Sequence, residues 1–182
     1  HIDTLQSAIL ISDIRGWTTL NARLGAAAAL ALANRYFGIM GAAVEDHGGE
    51  ILKLTGDGVL AVFPAEGIDA AAACRNALSA ARAAFSAAAG AEPALGISFG
   101  IGLHFGEVLY GNVGSDTRLD FTAMGPAVNA AARIEGLCGD LGQPLLCSED
   151  FAELAGGRFR EAARRQLKGE TQARRVFTAG PA

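Results

Sequence analysis

Apolar residues along the chain alternate between short strand-like runs and long stretches with helical spacing. Residues 7–12 read as a short buried strand, and residues 19–47 repeat apolar positions at helical intervals, with a break expected near Gly25. Two further apolar runs within residues 50–63 are joined by a Gly/Asp cluster, which predicts a β-hairpin with two buried strands. The pattern is that of a mixed α/β chain.

The middle of the chain continues this alternation. Residues 67–89 predict an alanine-rich helix. Residues 95–113 carry alternating large and small side chains around Phe105-Gly106-Glu107, so we expect a second hairpin that turns there. A loop and short strand at 115–122 lead to a helix that starts at Gly125-Pro126, because proline is favoured in a first helical turn.

The C-terminal part predicts smaller elements. A short strand covers residues 145–147, and a small helix starts at Ser148. A final hairpin has strands near 161–167 and 174–179, and its turn is Lys168-Gly169-Glu170.

Composition narrows the class of protein. The 182 residues suit one domain, and a formal charge of −4 argues against the basic face that nucleic-acid binding needs. Three cysteines without CxxC spacing predict neither disulfides nor a zinc site, which favours a reducing, cytoplasmic setting.

The ends of the chain carry a separate expectation. The sequence shows no transmembrane span or signal peptide, and its first residue is His1 rather than Met. We therefore expect residues 1–182 to be a single domain from a larger protein, whose other segments could include a sensor or a membrane anchor.

The predicted hairpin at 50–63 carries the first candidate chemistry. Asp57 lies at its tip, between two glycines, where a carboxylate could hold a metal ion. Lys53 lies four residues earlier, so a regular strand would place it on the same face as Asp57. The alternative is an ordinary turn aspartate and a lysine that extends to solvent.

Asp13 is the second candidate carboxylate. It ends the strand at 7–12 and precedes the turn Arg15-Gly16-Trp17-Thr18, where Thr18 or Thr19 could cap the next helix. The carboxylate would take a metal, and the free N–H groups of the turn would take phosphate oxygens. The alternative is a plain strand-end aspartate. Asp13 and Asp57 would lie on adjacent turns if strands 7–12 and 50–55 were neighbours.

Further polar residues stand out against apolar surroundings. Asn129 and Arg133 lie four apart on one face of a predicted helix, where two solvated surface residues are the alternative. His104 lies in a strand beside a turn, and we interpret it as structural rather than as a base.

Two carboxylates with few other ligands suit Mg²⁺, and Lys53, Arg133 and Lys168 would supply positive charge. The sequence contains no P-loop, so phosphates must be held in another way.

Four motifs occur in an order and spacing that resemble a known family. ILISDIRGWTTL, EILKLTGDGVLAVF, FTAMGPAVNAAARIE and QLKGE are similar to the class III nucleotide cyclase catalytic domain, over nearly the whole chain. The resemblance implies a ferredoxin-like α/β sandwich, with a βαββαβ core and added C-terminal strands and helices. It also implies a head-to-tail homodimer with two composite active sites.

The same resemblance implies roles for individual residues. Asp13 and Asp57, with Ile14, match the positions that bind two Mg²⁺ or Mn²⁺ ions. Asn129 matches the residue that orients the ribose, and Arg133 matches the arginine that stabilises the transition state at the α-phosphate. Lys168 matches a lysine that contacts the terminal phosphates. The resemblance also includes Gly16, Trp17 and Thr18 in substrate binding.

Substrate specificity depends on two positions that read the purine. Lys53 matches the first, and Thr122, seven residues before Asn129, matches the second. This pair is similar to the subgroup that includes bicarbonate-responsive adenylate cyclases. Lysine can only donate a hydrogen bond, which suits N1 of adenine and opposes the N1–H of guanine, while the threonine hydroxyl can accept from the adenine amino group.

The implied reaction is the cyclisation of ATP to 3′,5′-cyclic AMP and pyrophosphate. The alternatives are a guanylate cyclase or mixed specificity, and a catalytically silent cyclase-like module that dimerises or binds nucleotide. A diguanylate cyclase of the GGDEF type is disfavoured, because the corresponding turn reads TGDGV.

Overall fold

The computed structural model describes residues 2–55, 57–93, 95–115 and 118–179, except for the side chains of Ile2, Thr55 and residues 112–122. In chain order the elements are β1 (Ile2–Ile14), α1 (Trp17–Leu24), α2 (Ala26–Asp46), β2 (Glu50–Thr55), β3 (Gly58–Pro64), α3 (Ala70–Gly90), β4 (Phe99–Ser115), β5 (Arg118–Met124), α4 (Pro126–Leu141), β6 (Leu145–Ser148), α5 (Glu149–Ala155), β7 (Arg160–Gln166) and β8 (Ala173–Thr178). The predicted break at Gly25 is confirmed, since this glycine separates α1 from α2 with a φ of 83°.

All the described strands belong to one sheet, in the order β2-β3-β1-β4-β6-β8-β7, and β5 pairs with β4 outside this path. The pairs are antiparallel except β4–β6, which is parallel because α4 crosses over between the two strands. The elements from β1 to β4 follow a βαββαβ order with the spatial order β2-β3-β1-β4. The predicted ferredoxin-like core with added C-terminal elements is therefore confirmed.

Strand β4 corrects the expectation of a hairpin within residues 95–113. It runs without a turn, and its register with β1 extends from Ile14↔Phe99 to Ile2↔Gly111. Its glycines leave room for α4 instead of bending the strand: a Cβ on Gly102 would lie 2.6 Å from the backbone N of Glu135. The hairpin in this region joins β4 to β5.

The neighbour of β1 also differs from the prediction. Strand 7–12, part of β1, pairs with β3 and not with residues 50–55. In the sheet order, β3 lies between β1 and β2. β3 is mostly buried, whereas β2 forms the edge of the sheet and exposes Lys53 and Leu54. The prediction that both hairpin strands are buried is therefore wrong for β2.

The two faces of the sheet are covered unequally. On one face α2 and α3 pack over the main core, which includes the fully buried Tyr36 and Phe63. On the other face α4 packs over β1, β4 and β6. Beside α4 this second face carries four half-buried apolar side chains: Leu5, Ile11, Leu52 and Leu60.

Among the described residues, α2 alone has the length and composition of a membrane-spanning helix. Its buried residues, which include Ala33, Tyr36 and Met40, pack into the main core of the domain. A third of its most apolar stretch is buried, so this packing explains part of its apolar sequence.

At the far end of the sheet, β7 is the outermost strand and exposes Arg160, Arg164 and Arg165.

Candidate active site

Asp13 and Asp57 lie side by side at one end of the sheet. Asp13 is opposite Gly58 in the β1–β3 ladder, and the backbone N–H of Ile14 donates to the carbonyl oxygen of Asp57 at 2.8 Å. Both aspartates and Lys53 line one cavity of about 460 Å³. The predicted proximity of the carboxylates is therefore observed, although it arises through β3 rather than β2.

Lys53 reaches this cavity from the sheet edge. The β2–β3 register shifts between Ile51 and Lys53, and Asp57 lies in the turn rather than in the strand. The regular strand that would place Lys53 and Asp57 on one face is therefore not present. Within the described part of the chain, Lys53 makes no ion pair with Asp57. Because Lys53 is exposed and not paired with Asp57, its ammonium group is free to contact a ligand.

Glu135 adds a third carboxylate to the same cavity. It extends from α4 and is buried. Burial chiefly raises its pKa, and the Asp13 carboxyl next to it raises the pKa further, while Arg15 opposes the shift. Glu135 therefore lies beside Asp13 with its ionisation disfavoured, chiefly by burial.

The donor set fits magnesium. The described residues contain no cluster of three or more His, Cys, Asp or Glu side chains arranged as a complete metal cage. Mg²⁺ does not need one, since it binds through one or two carboxylates and takes its remaining ligands from water and substrate phosphates. Asp13 and Asp57 meet this requirement, and the backbone at Ile14 lies between them.

The turn after Asp13 starts helix α1. Gly16 is the N-cap, in the left-handed conformation with φ 61°, so the prediction that Thr18 or Thr19 caps the helix is wrong. A glycine adopts this conformation without steric cost, and the helix then starts at Trp17. No side chain caps its first N–H groups, which leaves the amides of this turn available to an anion. Trp17 is half-buried against the main core, whereas Thr18 is exposed.

Asn129 and Arg133 lie on α4, outside the cavity. Ala132, Glu135 and Gly136 are the α4 residues that line it, and Asn129 and Arg133 lie beside Ala132 and Gly136 around the helix. Asn129 is exposed and Arg133 is half-buried. Within one chain, these two residues therefore do not share the cavity with the aspartates.

Lys168 is exposed in the loop between β7 and β8. In this loop Glu170 has a lowered pKa, chiefly through its hydrogen bond from Arg174, and the charge of Arg133 contributes as well. Arg133 of α4 therefore lies close enough to this loop to act on the carboxylate of Glu170.

The backbone of Thr122 pairs with Gly111 in the β4–β5 hairpin, and β5 contacts β2, the strand of Lys53. The side chain of Thr122 lies outside the part of the chain that the structure describes. The strands that carry the predicted purine-reading residues, β2 with Lys53 and β5 with Thr122, are therefore in contact. The role of Thr122 stays a prediction.

Comparison with known proteins identifies the family of the chain. Residues 3–177 match the family model described as the adenylate and guanylate cyclase catalytic domain. The chain belongs to this family. It is 37% identical over 150 residues to an adenylate cyclase of Anabaena cylindrica, covering 80% of this chain and 30% of that protein. It therefore spans less than a third of that relative's length.

Solved cyclase structures share the fold. A bacterial light-regulated adenylyl cyclase is 30% identical with a TM-score of 0.82, over 100% of this chain and 54% of that one. The guanylyl cyclase Cya2 is 28% identical with a TM-score of 0.78, over 96% and 91% of the two chains. The predicted family is confirmed, and both adenylyl and guanylyl cyclases are among its similar structures.

Two residues of this cyclase domain were missed from the sequence. The guanidinium group of Arg15 lies between β4 and α4, where a Cβ on Gly100 or on Gly139 would come within 2.7 Å of it. Glu135 shares the space beside Gly100. A signal for Glu135 existed, because it follows Ile134 on the apolar side of α4, where a carboxylate needs a reason to be buried.

His104 is buried on β4, and its Nδ1 lies 2.6 Å from the Oγ of Ser148. The same Ser148 oxygen accepts the backbone N–H of Phe151 and so caps α5. His104 is not among the residues that line the carboxylate cavity. This location agrees with its interpretation as a structural residue.

Proposed function

We propose that this domain is an adenylate cyclase that converts ATP to 3′,5′-cyclic AMP and pyrophosphate at composite sites in a homodimer. The observation that carries the proposal is the separation of the candidate residues. Asp13 and Asp57 share one cavity, whereas Arg133 and Lys168 lie outside it. A second copy of the chain would bring the cationic residues of one subunit to the carboxylates of the other.

The exposed part of the sheet supports the dimer. The face beside α4 carries four apolar side chains that are only half-buried: Leu5, Ile11, Leu52 and Leu60. They lie on the same side of the sheet as the cavity, since Ile11 and Leu60 also line it. Burying this apolar surface against a partner would favour association. In such a dimer, Lys53 and Asp57 of one chain would serve opposite active sites.

Two Mg²⁺ or Mn²⁺ ions, when bound, would lower the pKa of the ribose 3′-hydroxyl and neutralise charge on the triphosphate. Asp13 and Asp57 would hold them, with Ile14 between. Gly16, Trp17 and Thr18 would direct the free N–H groups of the α1 N-terminus at phosphate oxygens.

The second chain would supply the positioning groups. Asn129 would orient the ribose so that its 3′-oxygen faces the α-phosphorus in line, and Arg133 would stabilise the charge that develops on the α-phosphate. Lys168 would contact the terminal phosphates. Orientation and electrostatic stabilisation supply most of the rate in phosphoryl transfer, so no dedicated protein base is required.

Preference for adenine would come from the purine-reading pair. Lys53 of the second chain is exposed on its strand and can only donate a hydrogen bond, which matches N1 of adenine. Thr122 would accept from the adenine amino group. Because this pair is similar to the subgroup that includes bicarbonate-responsive adenylate cyclases, we propose bicarbonate as a regulator, and adding it at constant pH and ionic strength should raise turnover. The three free, buried cysteines support a cytosolic setting.

Product formation from equimolar ATP and GTP, measured across a range of protein concentrations, tests substrate and dimer together. We expect cyclic AMP as the main product and a specific activity that rises with protein concentration. A preference for GTP would favour the guanylate cyclase alternative, for which Cya2 is a similar structure. If neither nucleotide gives a cyclic product with Mg²⁺ or Mn²⁺, the alternative of a catalytically silent module that dimerises or binds nucleotide would be favoured instead.

Composite sites make a sharper test. Asp57→Ala and Arg133→Ala should each abolish turnover, whereas a mixture of the two variants should regain activity, because one site of the heterodimer is then intact. Two differently tagged chains allow the heterodimer to be purified first. An inactive heterodimer of confirmed composition would contradict shared sites.

A further inference from the structure

The loop that carries Lys168 is fastened on both sides. Leu167 is buried in a small core cluster against α4 and β8, and the backbone N–H of Glu170 donates to the carbonyl oxygen of Leu167 at 3.0 Å. The side-chain amide of Gln166 donates to the carbonyl oxygen of Glu170 at 2.9 Å. Lys168 and Gly169 form the exposed tip, where Gly169 takes the left-handed φ of 87° that the turn requires.

A charged pair closes this loop across its base. Nε of Arg174, on β8, donates to both carboxylate oxygens of Glu170, at 2.8 and 2.9 Å. The two side chains are less than a third exposed. Charge-assisted contacts of this kind fix the geometry of a carboxylate more firmly than neutral hydrogen bonds do. We call this pair the Glu170–Arg174 clasp.

The clasp connects the ladder of the hairpin, through Arg174, to the loop, through Glu170. The β7–β8 register runs on both sides of the loop from Arg160↔Thr178 to Gln166↔Ala173, so the ladder is already complete where the loop starts. The residues that the clasp orders are those of the loop, 167–172. An exposed lysine at the tip of an unfastened loop would lose conformational entropy whenever it contacted a phosphate.

We infer that Glu170 and Arg174 are positioning residues that hold the Lys168 ammonium group in place for the terminal phosphates of the nucleotide. This inference rests on the proposed function of Lys168 and extends it to two residues that do not touch the substrate. The clasp pre-orders the loop, so that less of the binding energy is spent on ordering it.

The test compares Glu170→Gln with a matched control in the same hairpin. Glu161→Gln makes the same change in the pair between Glu161 and Arg175, whose atoms are 3.2 Å apart, away from the Lys168 loop. Affinity for 3′-deoxy-ATP is measured by titration calorimetry, because this analogue lacks the attacking hydroxyl and reports binding alone. KM and kcat for ATP are measured in parallel.

Glu170→Gln should weaken 3′-deoxy-ATP binding about five-fold and raise KM by the same factor, as expected for losing a partly exposed charged pair. The kcat should stay unchanged, and Glu161→Gln should change neither affinity nor KM, although both variants should lower the melting temperature slightly. In a Lys168→Ala background, Glu170→Gln should have no further effect. Arg174→Lys, which keeps the charge but loses the contact through Nε, should reproduce the weakening.

Other results would overturn the inference. Equal effects of Glu170→Gln with and without Lys168 would mean that the clasp acts independently of the lysine. Tighter binding by Glu170→Gln would mean that the carboxylate only repels the phosphates. A wild-type protein that binds 3′-deoxy-ATP but forms no cyclic product would contradict the proposed function and leave the clasp standing. A wild-type protein that does not bind the analogue would contradict both.

Discussion

Acid should destabilise this domain through one buried histidine. His104 is 4% exposed, and burial chiefly lowers its pKa from 6.5 to about 4, with the charge of Arg174 acting in the same direction. In the unfolded chain the imidazole takes up a proton below its ordinary pKa, whereas in the folded domain it stays neutral until about pH 4. Unfolding therefore takes up a proton between these two values, and stability falls as the pH decreases from 6.5 towards 4.

The size of the effect follows from the two pKa values. At neutral pH both states are neutral at His104, and the group contributes almost nothing to the pH dependence. At about pH 5 the unfolded imidazole is mostly protonated and the folded one is mostly neutral, which removes about 2 kcal/mol of stability by linkage. The full loss is reached only below the folded pKa.

Urea unfolding at about pH 7.5 and about pH 5, for wild type and for His104→Gln at one fixed protein concentration, isolates this term. Glutamine keeps a polar partner for the Oγ of Ser148 but does not titrate. Wild type should lose about 2 kcal/mol more than the variant, because the other titrating groups are common to both proteins. Parallel losses in the two proteins would refute the argument that His104 is held neutral by burial.

Three further outcomes follow from the structure. Gly102→Ala should destabilise the domain by about 2 kcal/mol in urea unfolding, because the added Cβ would meet the backbone of Glu135. The control is Gly38→Ala, where the space is open, and this change should stabilise helix α2 by about 0.5 kcal/mol. Tyr36→Phe should cost about 1 kcal/mol, because Ser12 loses a buried 2.7 Å hydrogen bond, and a Tyr36→Phe/Ser12→Ala double variant should recover part of that cost. Chelation of divalent cations should abolish turnover without changing the circular dichroism spectrum; activity in excess chelator would contradict the proposed metal requirement.

Local patterns in the sequence were sufficient for most elements. The final hairpin and the Gly25 break follow from glycine positions and periodicity, and the structure confirms both. Strand β4 was misread because its glycines look like turn residues. Their actual role is to admit α4, and only the tertiary packing reveals it.

The site was predictable where a motif carried it. Asp13 and Asp57 were expected to meet, yet the expected reason was wrong, since strand insertion depends on non-local pairing that the sequence does not display. The sequence does signal Glu135, as a carboxylate beside Ile134 on the apolar side of α4. What it does not show is the partner of that carboxylate, because only the packing of α4 on β1 places Asp13 beside it.

The two ends of the sheet have different consequences for handling the protein at high concentration. β7 exposes Arg160, Arg164 and Arg165, so adding a strand from another copy there would place like charges side by side. At the opposite end, β2 exposes Leu54, with Lys53 as its charged neighbour. Aggregation by strand addition should therefore start at β2, and high salt, by screening the arginines, should open the second route at β7.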